Sequence, residues 1–555
     1  MLNIQPQYLS LSDLLKGRLF RIPEYQRAYS WTSRERKDLF GDIEKLHNQS
    51  EDEAHFMATV VLLRRHRQPI GTDVFYTMEV VDGQQRLTTL IILLKVIEQK
   101  LIPTDRLALE LKELLVKPES EALLLLQTNH DSSHHFENYL REATAVNSHT
   151  AITLADREIL RAIEDCQEFV EGWLGMNNDI QSLAALLKNR LFFLLHEIED
   201  ERSVYTVFEV LNSRGMEVSW LDRMKSILMG TVYEIENINT QELINDLHTI
   251  WRDIYQVIGL HQGLSTESLR FTATLYSEQS QSRPLSEKDA VETLRQIARN
   301  ATSIRRVANF LLEVTKVCDE ITTNTRIKAV TKHSQARLLA VAIQLRKDIR
   351  GKREKQLLEL WEKVTFRIYG MLRNDARTGV GEYVRLAWKV WNEKLSVDEI
   401  SEQILIIGER FPVEDAVDAL KKVNCYGGWE VELRYLMYRY EEFLCKQERS
   451  RIAKVTWEKI WRSTPSDSIE HIKAQSAINE ENKHRLGNLM LLEPELNSAL
   501  QDKKPSEKVE SYRRTGLRIA REVADMIDAK NNWTKKTIVE RENKILEWAK
   551  IEWGD

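Results

Sequence analysis

Ser468-Ile-Glu-His-Ile472, followed by Leu486-Gly-Asn-Leu-Met490 and Asn497, is the stretch from which the rest of the chain is best read. It sets an acid beside a histidine on a short β-branched run, then an asparagine after a glycine, then a second asparagine. Neighbouring side chains on an extended segment point to opposite faces, so Glu470 and His471 are expected to serve different surroundings. Glu470 and Asn497 offer the hard oxygens that a divalent cation such as Mg²⁺ or Mn²⁺ takes. His471 is then placed to accept a proton from an attacking water. Asn488, between Gly487 and an apolar Leu-Met-Leu-Leu run, is expected to hold the turn and orient the histidine. Together these parts suffice for one-metal hydrolysis of a phosphodiester, the cation stabilising the scissile phosphate and the leaving oxygen. A Glu-His pair arises by chance in helical proteins; the whole constellation carries the reading.

A second signature lies near the other end. The patterns at 56–63 and 75–81 read as strands, and the latter runs into Asp82-Gly-Gln-Gln-Arg-Leu-Thr-Thr-Leu90 and an apolar helix through Ile97. In such a strand-turn-helix, glycine lets the backbone approach a ligand and the first helical turn presents free N–H groups to phosphate. Arg86 adds a planar charge, Gln84 and Gln85 add amide groups, and Asp82 suits a metal or a ribose hydroxyl. The plainer reading makes Asp82 a helix cap followed by solvent-facing glutamines. Upstream, Arg21-Ile-Pro-Glu-Tyr-Gln-Arg-Ala-Tyr-Ser-Trp31 interleaves aromatics with arginine, a composition that suits base stacking and also an ordinary core.

The order Glu-His, Gly-Asn-Leu, Asn resembles the HNH nuclease domain at the C-terminus of GmrSD-type, modification-dependent (type IV) restriction proteins. Trp533, Ile538, Arg541 and Leu546 resemble the closing helix of that domain. The segment 21–31 followed by the D-G-Q-Q-R-L-T-T-L phrase is similar to the N-terminal ParB/sulfiredoxin-like domain of the same family. Tyr205-Thr-Val-Phe-Glu-Val-Leu-Asn-Ser-Arg-Gly215, with Val218 and Asp222, resembles its F-x-x-L-N-x-x-G-x-x-L-x-x-x-D box, valine replacing the second leucine. Relatives often have proline where Ala474 stands and glycine where Ala58 stands, and other HNH nucleases often carry histidine at the place of Asn497. The resemblance implies nucleoside triphosphate binding and hydrolysis at Asp82, Gly83, Gln84, Gln85 and Arg86, with Asn212, Ser213, Arg214 and Gly215 closing the same pocket. It implies contact with DNA or its modification at Tyr25, Gln26 and Arg27. For the C-terminal motif it implies catalysis by His471, Glu470, Asn488 and Asn497, with metal on Glu470 and Asn497.

Composition agrees. A chain of 555 residues, 42% hydrophobic and 30% charged, has room for about three domains with proper cores. No run approaches a membrane span and the first residues lack a secretory pattern, so a cytoplasmic protein is expected. Cys166, Cys318, Cys425 and Cys445 are far apart and are expected to be buried thiols. A net charge of −6 excludes a chain that coats nucleic acid indiscriminately, so DNA work falls to local patches. The candidates are Arg64-Arg-His-Arg67, Lys503-Lys504 with Lys508, and Arg513, Arg514, Arg518 and Arg521. His130, His134 and His135 have metal-like spacing in a polar turn, and Trp388 and Trp391 sit at helical spacing that favours a core role.

Between the signatures the pattern is helical, notably at 155–173, 290–314, 355–372 and 431–445, with breaks near 278–284, 373–381 and 424–428. The expected fold is predominantly α with small α+β parts. It comprises a ParB/sulfiredoxin-like sensing domain over 1–230 with a helical insertion, a helical connecting domain over 231–430, and a ββα-metal (HNH) endonuclease domain over 431–555. The expected function is anti-phage restriction: nucleotide-dependent sensing of modified or foreign DNA, and cutting or nicking at a one-metal site. The alternative is a nucleotide-gated DNA-binding regulator without nuclease activity. The sequence leaves open which modification and which nucleotide are recognised, DNA against RNA as substrate, nick against double-strand cut, a homodimer, and companion defence proteins.

Overall fold

A computed structural model describes residues 6–23, 26–50, 53–70, 73–116, 127–128, 135–142, 154–201, 203–204, 219–259, 261–421, 424–478, 480–530 and 532–554. The chain divides into two compact units, Met1–Thr272 with Glu287–Lys316, and Ala273–Ser286 with Val317–Asp555. Helices predominate, as expected; the strands form one mixed sheet in the first unit and one short ribbon in the second.

The sheet of the first unit contains β1 (Gln7–Ser10), β2 (Arg18–Ile22), β3 (His55–Ile70), β4 (Asp73–Asp82), β5 (Gln127–Thr128) and β6 (Leu191–Ile198), in the spatial order β1-β6-β3-β4-β2-β5. β3 and β4 are the two strands expected from the sequence, longer than the pattern indicated, and they pair antiparallel with Val61 opposite Asp82. β3 runs parallel to β6, and β4 runs parallel to β2. Their β-branched and aliphatic residues fill the interior, Val60, Val61, Leu62 and Val80 being fully buried. β4 therefore brings Asp82 to the end of a central strand, and helix Gln84–Lys100 leaves from there. Apolar on nearly every side from Leu87 to Ile97, that helix is buried all round.

The pattern over 290–314 is one expected helix that the structure divides, into Glu287–Ile297 and Ala301–Thr323. At the break the Asn300 side chain accepts from the Ser303 N–H at 2.9 Å, and Ser303 Oγ accepts from the N–H groups of Arg299 and Asn300. This local side-chain bonding competes with the helical ladder, a competition that apolar spacing does not reveal.

In the second unit β7 (Ile469–His471) and β8 (Leu489–Leu491) pair antiparallel, Glu470 opposite Met490 and His471 opposite Leu489. Helix Pro494–Leu500 follows, then Pro505–Arg514, Arg518–Lys530 and Lys535–Glu552. Both strands are buried throughout, among Ile472, Leu492, Trp533, Ile538 and Ile545. The three expected breaks fall between helices. All four cysteines are buried thiols outside any disulfide. The Trp388 indole donates to the Ser277 carbonyl at 2.8 Å, which accounts for it as a packing residue. Among the described residues no helix is long and apolar enough to cross a membrane.

Candidate active site

Because β7 is extended, its consecutive side chains enter separate surroundings. Glu470, only 3% exposed, faces helix Pro505–Arg514, where its Oε1 accepts from Lys508 Nζ and from the Tyr512 hydroxyl, both at 2.7 Å. The two donors lie four residues apart on one helical face. Lys508 also donates to the His471 carbonyl at 3.1 Å. Burial raises the Glu470 carboxyl above its ordinary pKa, against the opposing pull of Lys508 and Tyr512. Among the described residues no side chain donates to Oε2.

His471 faces the other way. Its Nε2 is 3.0 Å from His484 Nδ1, and its Nδ1 is 3.3 Å from the Gln475 amide nitrogen. An amide nitrogen only donates, so Nδ1 is the acceptor and Nε2 carries the proton given to His484. The Tyr426 ring stacks on His484 at 5.2 Å and meets His471 edge-on at 4.8 Å. Burial, reinforced by His484, Lys508 and Lys483, brings the His471 pKa down to about 3, which keeps the imidazole in its basic form at neutral pH.

Asn488 is saturated with partners. Its Oδ1 accepts from the Lys473 N–H at 3.0 Å and the Trp533 indole at 3.2 Å, and its Nδ2 donates to the carbonyls of Lys473 and Lys483, both at 3.1 Å. It thereby ties the chain just after His471 to the turn before β8. Arg541, fully buried, donates to the carbonyls of Gly487 and Leu489 at 2.9 and 2.8 Å, locking the closing helix onto the same turn. Gly487 permits that approach, since a Cβ there would lie 1.9 Å from the Ile538 carbonyl oxygen.

Asn497, on helix Pro494–Leu500, donates Nδ2 to the carbonyls of Asp467 at 2.8 Å and Ile469 at 3.1 Å. Carbonyls only accept, so this pair fixes the amide and turns Oδ1 away from them. Asn497, Glu470 and His471 line one cleft of about 780 Å³, with Tyr426 and Gln475 beside them and Asp467, Glu495 and Asp502 at its edge. The donor chemistry fits a cation held by two protein oxygens and completed by water and phosphate. Among the described residues no three His, Cys, Asp or Glu side chains converge as a closed zinc site would require.

In the first unit the motif after β4 takes a different form from the one expected. The helix is capped by Gly83 in the left-handed conformation (φ 95°), and Asp82 instead accepts the Gly83 N–H at 2.8 Å. Gln84 and Gln85 are buried, and their amides hold the 26–31 segment: Gln84 donates to the Arg27 carbonyl at 3.1 Å and Gln85 to that of Ala28 at 3.2 Å. Gln85 Oε1 accepts from the N–H groups of Ser30 and Trp31, while Gln26 donates to the Val81 carbonyl at 3.1 Å. The solvent-facing reading of the glutamines is thus corrected. Arg86 lies 6.0 Å from the centre of the Trp31 ring.

Charged groups gather where the two motifs meet. Burial raises the Asp82 pKa, opposed by Arg86 and Arg27. Burial would likewise raise Asp222, but Arg27, Lys225 and hydrogen bonds from Tyr255 and Ser219 hold it below the usual range. Lys225 falls to about 8 through burial and the neighbouring Arg27, against the pull of Asp222. Arg27 and Asp82, from motifs read separately, therefore share one charged constellation. Tyr25, Asn212, Ser213, Arg214, Gly215, His130 and His134 lie outside the described residues.

Residues 11–229 match the family model described as the GmrSD restriction endonuclease N-terminal domain, and residues 412–548 match that of the GmrSD C-terminal domain. Among curated proteins no match was found. These matches define a restriction-type endonuclease, whose substrate class is DNA. The chain belongs to the GmrSD restriction endonuclease family.

Several site residues were not apparent in the sequence. His484, Gln475, Tyr426 and Tyr512 had no motif to mark them, although Lys508 and Tyr512 at helical spacing are one signal that could have been tested against Glu470. One member of the basic runs needs correction. Lys508 is buried on Glu470 and belongs to no surface patch. Arg64 pairs with Glu197 and Glu199, Arg65 with Glu79 and Glu201, Arg513 with Asp525 and Asp528, Arg514 with Glu510, and Arg518 and Arg521 with Glu448. Lys503 and Lys504 remain beside the cleft, lining with Lys473 a pocket of about 210 Å³ that shares Ala474 and Asp502 with it.

Proposed function

We propose that this family member is an HNH-type endonuclease with two Mg²⁺- or Mn²⁺-binding oxygens, gated by a first unit that binds a nucleoside triphosphate and reads modified or foreign DNA. The observation that carries the proposal is the convergence of Glu470, His471 and Asn497 on one cleft, with Asn488 tied beneath them. In this reading β7, β8 and helix Pro494–Leu500 form a ββα-metal unit, and the mixed sheet of the first unit is ParB/sulfiredoxin-like. Glu470 and Asn497 would hold the cation, which supplies charge stabilisation at the phosphate. His471 Nδ1 receives the proton of the attacking water once Gln475 yields its place, and the Nε2–H bond to His484 keeps the ring in the tautomer this needs. Lys473, Lys503 and Lys504 offer positive charge to the flanking backbone.

In the first unit the N–H groups of the first turn of helix Gln84–Lys100, with Arg86, Arg27 and Lys225, supply the chemistry of a triphosphate site. Nucleotide turnover would bias the equilibrium between a held and a cutting arrangement. The test is cleavage of unmodified, base-glucosylated and phosphorothioated DNA with Mg²⁺ or Mn²⁺, with and without each NTP, beside His471→Ala and Arg86→Ala. Metal-dependent cutting that needs His471, is selective for one modification, and responds to an NTP whose binding Arg86→Ala weakens is the expected result. Nucleotide-dependent DNA binding with no cutting of any substrate would replace it with a regulator.

A further inference from the structure

The ammonium of Lys508 is 2.7 Å from Glu470 Oε1, and the side chains of the pair are 0% and 4% exposed. We infer that Lys508 is a built-in counter-cation that keeps the cleft's affinity for a divalent metal low until DNA supplies a phosphate, so that metal and substrate bind together. This deepens the one-metal reading above and rests on it.

The argument is one of charge and confinement. Of the two oxygens assigned to the cation, only Glu470 brings a charge, because Asn497 is a neutral amide. A metal on Oε2 would share that carboxylate with the buried ammonium on Oε1, setting two cations close together across one carboxylate. Neither partner can step aside cheaply. Tyr512 holds the same Oε1 at 2.7 Å, and Lys508 is also tied to the His471 carbonyl at 3.1 Å. The carboxylates at the cleft edge do not replace the missing charge. Asp467, Glu495 and Asp502 are exposed, Glu495 is paired with Lys459 at 3.3 Å, and Asp502 accepts from Ser476 at 2.7 Å. A phosphodiester entering the cleft restores a negative ligand opposite the pair. Lys508 is in this sense a positioning residue, acting through Glu470.

The test is Mn²⁺ binding to the full chain, followed by electron paramagnetic resonance of the free ion, without DNA and with a short duplex in the His471→Ala background. The proteins are otherwise wild type, Lys508→Met, Glu470→Gln, and Glu470→Gln/Lys508→Met. Without DNA, Lys508→Met is expected to bind Mn²⁺ tighter by about tenfold or more, and the double variant to lose that gain. In the protein that retains Lys508, the duplex is expected to tighten Mn²⁺ by a similar factor, in a manner lost with Glu470→Gln. This second comparison serves even where Lys508→Met fails to fold. Glu470-dependent Mn²⁺ binding that is equally tight with and without duplex, or unchanged in folded Lys508→Met, overturns the inference and leaves the metal site standing. Absence of any Glu470-dependent Mn²⁺ binding removes the metal site itself.

Discussion

Gly487→Ala is expected to damage stability and cutting together. The new methyl would start 1.9 Å from the Ile538 carbonyl oxygen, 2.9 Å from its carbon and 3.0 Å from the Glu542 nitrogen, all backbone atoms of the closing helix. A carbon and a carbonyl oxygen need roughly 3.3 Å, so helix and turn must separate by more than an ångström. Overpacking of this kind costs about 1–3 kcal/mol. The separation also strains the Arg541 bonds to Gly487 and Leu489 and the Trp533 bond to Asn488, and losing one bond from a charged donor adds about 1.5–3 kcal/mol. A total of about 2.5–6 kcal/mol follows, which at a urea slope near 3 kcal/mol per molar lowers the unfolding midpoint of the second unit by about 0.8–2 M. The assay is urea unfolding followed by tryptophan fluorescence, with DNA cutting measured on the same preparations. Gly516→Ala, where a Cβ meets nothing within 4 Å, is the matched control. A Gly487→Ala protein with the wild-type midpoint and full cutting would refute the packing argument.

Three further outcomes are expected. His484→Phe keeps a ring against Tyr426 but removes the acceptor for His471, and should lower the cutting rate by about 10- to 100-fold in a protein that stays folded, its melting temperature falling by the cost of one unmet donor; an unchanged rate removes His484 from the site. Gln85→Ala frees three half-buried bonding partners in the 28–31 segment and should cost about 1–3 kcal/mol, read by thermal unfolding and by faster proteolysis of that segment. Burial, with Lys225 and Arg65 nearby, brings His248 down from 6.5 to about 3. The unfolded chain therefore binds a proton that the folded chain refuses, and stability falls as pH drops through 6.5 towards 3. At pH 5.5 the loss from this residue is about 1.4 kcal/mol, and His248→Gln should flatten that part of the stability profile, which denaturation at pH 5.5 and 7.5 checks.

The sequence was most legible where a local pattern and a local geometry coincide. The strand-turn-helix at 73–100 follows from β-branched alternation, a glycine and an unbroken apolar run, and each has a single structural solution. The clustering of Glu470, His471, Asn488 and Asn497 needed only the two short strands and the helix after them. What stayed hidden depends on long-range partners. Gln84 and Gln85 look like solvent-facing residues of a first turn until the 26–31 segment is seen to cross them. Lys508 reads as part of a basic run because the acid that buries it lies 38 residues away. The arginines of 513–521 read as a DNA-facing stripe, and nothing in that run marks the carboxylates on other turns and helices that pair with them. His484 shows no spacing rule at all, since the fold of the loop between β7 and β8 is what brings its ring to His471.

Cutting of whichever modified DNA the wild-type chain cuts, across a Mg²⁺ titration, by the full chain and by Glu470→Gln, His471→Ala and Asn497→Ala, examines the cleft at β7 and β8. Loss of cutting in His471→Ala at every Mg²⁺ concentration, with Glu470→Gln and Asn497→Ala shifted to much higher Mg²⁺, is the predicted result. Wild-type cutting by any of the three, or cutting that persists when chelator removes the metal, would contradict it.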